Sequence, residues 1–66
     1  VIKYKVTTFF PQSHIQVCYI IGATGAIISD SSLGGDNYYG TFVLEGESDC
    51  FEKLSLVPDI SLEIID

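Results

Sequence analysis

Pro11-Gln12-Ser13-His14-Ile15-Gln16-Val17-Cys18-Tyr19-Ile20-Ile21-Gly22 is the stretch on which any architecture for this chain turns. Ile15, Val17, Tyr19, Ile20 and Ile21 carry branched or aromatic side chains that pack better on a pleated sheet than on a helix. The punctuation around them points the other way. Pro11 ends the extended segment before it, because proline cannot donate to a ladder. Ser13 followed three residues later by Gln16 has the form of a capping box, and Gly22 and Gly25 can take the positive dihedrals that finish a helix. The spacing predicts a helix from His14 to about Ile21, with a strand as the alternative. A short helix pressed on a sheet can be apolar over most of its surface.

Working outward, Val1 to Phe10 alternates with period two, Ile2, Tyr4, Val6, Thr8 and Phe10 on one face, which signals a strand. Ala26 to Leu33 reads as a second strand that begins buried at Ile27 and Ile28 and ends wet at Ser29-Asp30-Ser31-Ser32. Gly34-Gly35-Asp36-Asn37 is a turn signal. After it Tyr38 to Glu45 resumes the alternation, with Tyr38, Gly40, Phe42 and Leu44 as the core face of a hairpin strand. From Glu47 the period becomes helical through Cys50, Phe51, Leu54 and Val57, with Ser48 as cap. Pro58 stops that helix, and Ile60, Leu62 and Ile64 alternate in a closing strand.

Strand, helix, strand, strand, helix, strand is an α+β order. It predicts a ferredoxin-like βαββαβ domain, a four-stranded antiparallel sheet with two helices on one face, spanning residues 1–66 as a single unit. The first and last strands are expected side by side in the centre, with Ile28 to Ser32 on an edge strand.

Composition limits the roles open to such a domain. With 66 residues, folding buries only about 60% of the unfolded surface; the 47% hydrophobic content makes a core feasible. Three Lys/Arg against nine Asp/Glu give a net charge of −6, the wrong sign for gripping a nucleic-acid backbone. No apolar run approaches the ~20 residues of a membrane span, and no signal-peptide pattern is present, so a cytoplasmic location is expected. The chain starts at Val1, which leaves a longer precursor open. Cys18 and Cys50 are 32 positions apart with no short ligand spacing, so buried thiols are expected rather than a disulfide or metal pair.

The segments Gly22 to Asp30, Tyr39 to Gly46, Phe51 to Leu54 and Pro58 to Ile65 together resemble the small regulatory ACT domain over nearly the whole chain. That resemblance implies a non-enzymatic module, often paired side by side as a homodimer, that holds an amino acid or related small effector where the first strand meets the first helix. The matching positions are Pro11, Gln12, Ser13, His14 and Ile15, preceded by Phe10, with Gln12 standing where a glycine commonly follows the proline. Tyr39, Phe42, Leu44, Leu54, Pro58-Asp59-Ile60 and Glu63 with terminal Asp66, which lies outside the residues the structure describes, are also similar to the inhibitor-like propeptides of subtilisin-type proteases. That similarity implies a role in binding a larger protein.

Sharper chemistry can be weighed residue by residue. His14 and Cys18, four apart on a helix, could be joined by Cys50 as metal ligands, but zinc sites show closer ligand pairs, and no metal or other cofactor is expected. Ser13 and His14 are adjacent and point apart at a helix start, so no catalytic residue is expected. Glu45, Glu47, Asp49 and Glu52 crowd negative charge where a helix dipole favours it. They are also the candidate surface for a basic protein partner.

Overall fold

The computed structural model describes residues 1–65. Its elements run β1 (Ile2–Thr8), α1 (Pro11–Thr24), β2 (Ile27–Leu33), β3 (Gly40–Gly46), α2 (Ser48–Leu54) and β4 (Ile60–Ile64). The four strands form one sheet in the order β2-β3-β1-β4, every neighbouring pair antiparallel. This is the ferredoxin-like α+β layout.

Helix α1 is longer than its punctuation suggested. Pro11 opens it instead of standing outside it, because a proline at the first helical position has its φ preset and needs no N–H there. Phe10 is the N-cap, with extended backbone and no side-chain cap bond, so the capping box at Ser13 does not form. Ser13 lies inside the helix, buried, and its hydroxyl donates to the Pro58 carbonyl at 3.1 Å. The far end runs past the expected Ile21 to Thr24 with Gly22 inside the helix, and Gly25 finishes it: it takes φ 75° and its N–H donates to the Ile21 carbonyl at 3.0 Å. Ser13, Val17 and Ile21 are the buried residues of α1. Their four-residue spacing is a helical period, which overrides the β-leaning side chains between them.

The centre of the sheet corrects the expected strand order. β3 pairs with β1 along seven residues, from Ile2 opposite Gly46 to Thr8 opposite Gly40, while β4 pairs only from Tyr4 to Thr8 and forms an edge. In a split βαβ arrangement each helical crossover steps over one strand, and the step leaves the central slots to β1 and β3. Tyr4, Val6 and Thr8 of β1 and Phe42 and Leu44 of β3 are buried beneath Val17 and Ile21 of α1 and Cys50 and Leu54 of α2. Each fully buried aliphatic side chain in that layer contributes about 2 kcal/mol. The Tyr4 and Phe51 rings meet edge to face at 5.4 Å.

Other expectations shift at the margins. All seven residues of β2 are exposed, Ile27 at 63% and Ile28 at 47%, so this edge strand does not begin buried. It is bulged between Ile28 and Asp30, which breaks its register with β3. Tyr38 lies outside β3 and is exposed, and the buried face of β3 starts at Gly40. A Cβ at Gly40 would come 2.9 Å from the His14 ring and 2.9 Å from the Ser32 carbonyl, so the backbone passes where a side chain would clash. For α2 the N-cap is Glu47 rather than Ser48, and the helix ends at Leu54, with Val57 half-buried beyond it. Cys18 is exposed, against expectation, and Cys50 is buried; both are free thiols. Among the described residues no helix is long and apolar enough to cross a membrane.

Candidate functional site

The junction of β1 and α1 is tied to the loop before β4. The Phe9 N–H donates to the Asp59 carbonyl at 3.1 Å, and the Ser13 hydroxyl reaches Pro58. Between these ties lies a cavity of about 300 Å³, at the small end of ligand sites. One wall is Phe10, Pro11, Gln12 and Ser13, with Gln16 one turn further along α1; the other is Pro58 and Asp59.

The walls have opposite electrical character. The first amides of a helix have no intrahelical acceptor, so the Gln12 and Ser13 N–H groups stand at the positive end of α1, whose first turn holds no acidic residue. Across the cavity Asp59 is, among the described residues, the only wall residue with a formal charge. Asp59 also has φ 61°, the left-handed region, and is the only non-glycine residue there among those described. Strain of this kind costs of order 1 kcal/mol or more and clusters at ligand sites.

His14 takes the other flank of the helix. Its ring stacks on Phe42 at 4.6 Å and meets Tyr39 edge to face at 5.1 Å, with Nδ1 3.0 Å from the Thr8 hydroxyl. Burial lowers its pKa from the usual imidazole value. Ile15 is 66% exposed on the outer surface of α1. Of the five positions read from the sequence, the structure gathers Pro11, Gln12 and Ser13 on the cavity wall, and His14 and Ile15 lie outside it. Phe10, which precedes them in the chain, lines the cavity as well. Gln16, Pro58 and Asp59 were missed, although Pro-Asp in the loop between α2 and β4 was the signal available.

Ser13 and His14 bond to different partners, Pro58 and Thr8, and do not form a relay. Cys50 is in the core, where it accepts from the Tyr4 hydroxyl at 2.9 Å, so it does not join His14 and Cys18. Burial and that thiol contact push the Tyr4 phenol above its ordinary range. No group of three or more His, Cys, Asp or Glu side chains is placed to hold a metal ion among the described residues.

The acidic positions divide. Glu45 and Glu47 line a second depression of about 350 Å³ beside Thr24, Gly25 and Ala26 at the carbonyl end of α1. Asp49 and Glu52 are exposed on α2, Asp49 accepting the Cys50 N–H at 2.9 Å. When the chain is compared with known proteins, no protein-family model matches it, and no curated protein matches it.

Proposed function

We propose that this protein is a non-enzymatic binding module that takes a free amino acid or a similar small zwitterion in the cavity between α1 and the Pro58-Asp59 turn, acting as a homodimer. One observation carries the reading: Gln12 and Ser13, whose amides stand at the uncapped positive end of α1, and Asp59 line the same cavity of about 300 Å³. A carboxylate belongs at the amide end, where the helix dipole favours it. An ammonium belongs at Asp59, and the Phe10 ring and the prolines supply apolar wall for a side chain. The resemblance to ACT domains, which hold such effectors at this junction, is consistent with the assignment.

Calorimetric titration with a panel of amino acids, their amides and their deaminated analogues tests it. Binding of the parent compound, lost both on amidation and on deamination, is the expected outcome. Equal binding of all three forms, or none, rejects the reading.

A second reading has its own observation. Glu45 and Glu47 meet the electronegative end of α1, whose last turn carries no basic residue, and a depression of that character suits a lysine or arginine from a basic protein.

A further inference from the structure

Helix α1 is the one element of the described fold with no Asp, Glu, Lys or Arg, in a chain of net charge −6. Its outward surface is uncharged: Ile15 is 66% exposed and Tyr19 75%, with Cys18, Gly22 and Ala23 exposed beside them and Gln12 and Gln16 as the exposed amides toward its N-terminal half. Residues 15, 18, 19 and 22 recur at three- and four-residue steps, so they form one stripe down the helix.

Gly22 adds a separate observation. It sits in the last turn of α1, where glycine weakens a helix, and a Cβ there would meet nothing within 4 Å. Chain reversal is performed by Gly25, with its positive φ, so the single chain gives Gly22 no task. A second backbone approaching closely would give it one.

The stripe also has a direction. Its bulky residues, Ile15 and Tyr19, precede its small ones, Gly22 and Ala23. Antiparallel pairing with an identical helix sets large against small at both ends and opposes the dipoles head to tail. Parallel pairing would set large against large. The competing surface, the β2 edge, is poorly suited to a second copy. It is bulged, and an antiparallel pairing centred on the strand would bring Asp30 against its own copy.

We infer that two copies of this chain associate through the outer face of α1, antiparallel, with the two-fold axis near Cys18 and Tyr19. This specifies the homodimer of the functional reading and rests on nothing about the ligand. Fourteen residues give a helix about 21 Å long, so the seam lies at the small end of interface sizes and a dissociation constant of order 100 μM is expected.

Sedimentation equilibrium on the reduced, ligand-free protein tests the inference. A monomer–dimer equilibrium is expected. Ile15→Ser with Tyr19→Ser should raise its dissociation constant at least about tenfold at unchanged circular dichroism, since both side chains are exposed in the single chain. Gly22→Ala should raise the melting temperature while weakening the dimer, and Asp30→Asn should leave association unchanged. Diamide, taking two electrons and two protons from a pair of thiols and becoming the hydrazine, should join two copies through Cys18, a product lost in Cys18→Ser. A strict monomer up to about 1 mM, a dimer indifferent to Ile15 and Tyr19, or one strengthened by Asp30→Asn overturns the assignment.

Discussion

The Thr8 hydroxyl fixes the tautomer of His14. It donates its single proton to the Gly40 carbonyl at 3.1 Å and lies 3.0 Å from His14 Nδ1, so the imidazole must supply the proton of that second bond. Neutral His14 therefore carries hydrogen on Nδ1 and a lone pair on Nε2, and Nitrogen-15 spectra of the ring should show that form. Thr8→Val, at a fully buried site, leaves the Gly40 carbonyl without this donor and the ring without its acceptor. A loss of about 1–3 kcal/mol in denaturant unfolding is expected.

Burial lowers the folded-state pKa of His14 below its ordinary value near 6.5, so the unfolded chain takes up the proton first. Stability should accordingly be full above about pH 7 and fall as pH drops through 6.5 toward the lower folded value, a window above most carboxylate titrations. Melting curves between about pH 5.5 and 7.5 should show this slope, and His14→Gln should flatten it.

Tyr4 and Cys50 make a buried pair whose two members are not equivalent. Tyr4→Phe removes a donor and leaves only a thiol, itself a weak acceptor, at a cost of about 1 kcal/mol or less. Cys50→Ala opens space in the core and strands the phenol, costing about 2–3 kcal/mol. In the native state a thiol reagent should modify Cys18 rapidly and reach Cys50 only through unfolding.

Asp59 offers a variant that separates fold from function. Asp59→Gly relieves the positive φ at the expense of a more flexible unfolded chain, so stability should stay level or rise by about 1 kcal/mol. Loss of the carboxylate should nevertheless weaken zwitterion binding by about tenfold or more. Asp59→Asn, which tolerates the same backbone, should bind as poorly as the glycine variant.

What could be read from the sequence was local. Alternation at Tyr4 and Val6 and at Phe42 and Leu44 identified the helix-facing side of the central strands, because period two forces alternate side chains to one face. The strand holding Ile27 and Ile28 lies at the edge where it was expected, but its two isoleucines misled about burial, since hydrophobicity alone does not tell whether an edge strand's face is covered. The positions of β3 and β4 follow from how the crossovers share the sheet, which no run of residues encodes. Half of the candidate site, Pro11 to Ser13, was legible from proline and helix-start chemistry. The remainder, Pro58 and Asp59, arrives from far along the chain through two hydrogen bonds, one from Ser13 to Pro58, 45 positions away, and one from Phe9 to Asp59.

Amide proton–nitrogen spectra recorded while an amino-acid panel is added to the intact protein test the zwitterion site most directly. At least one member of the panel should produce saturable shifts concentrated at Gln12, Ser13 and Asp59, absent in Asp59→Asn. Spectra unchanged for the whole panel at about 10 mM, or shifts confined to residues outside the α1–Asp59 cavity, would contradict it.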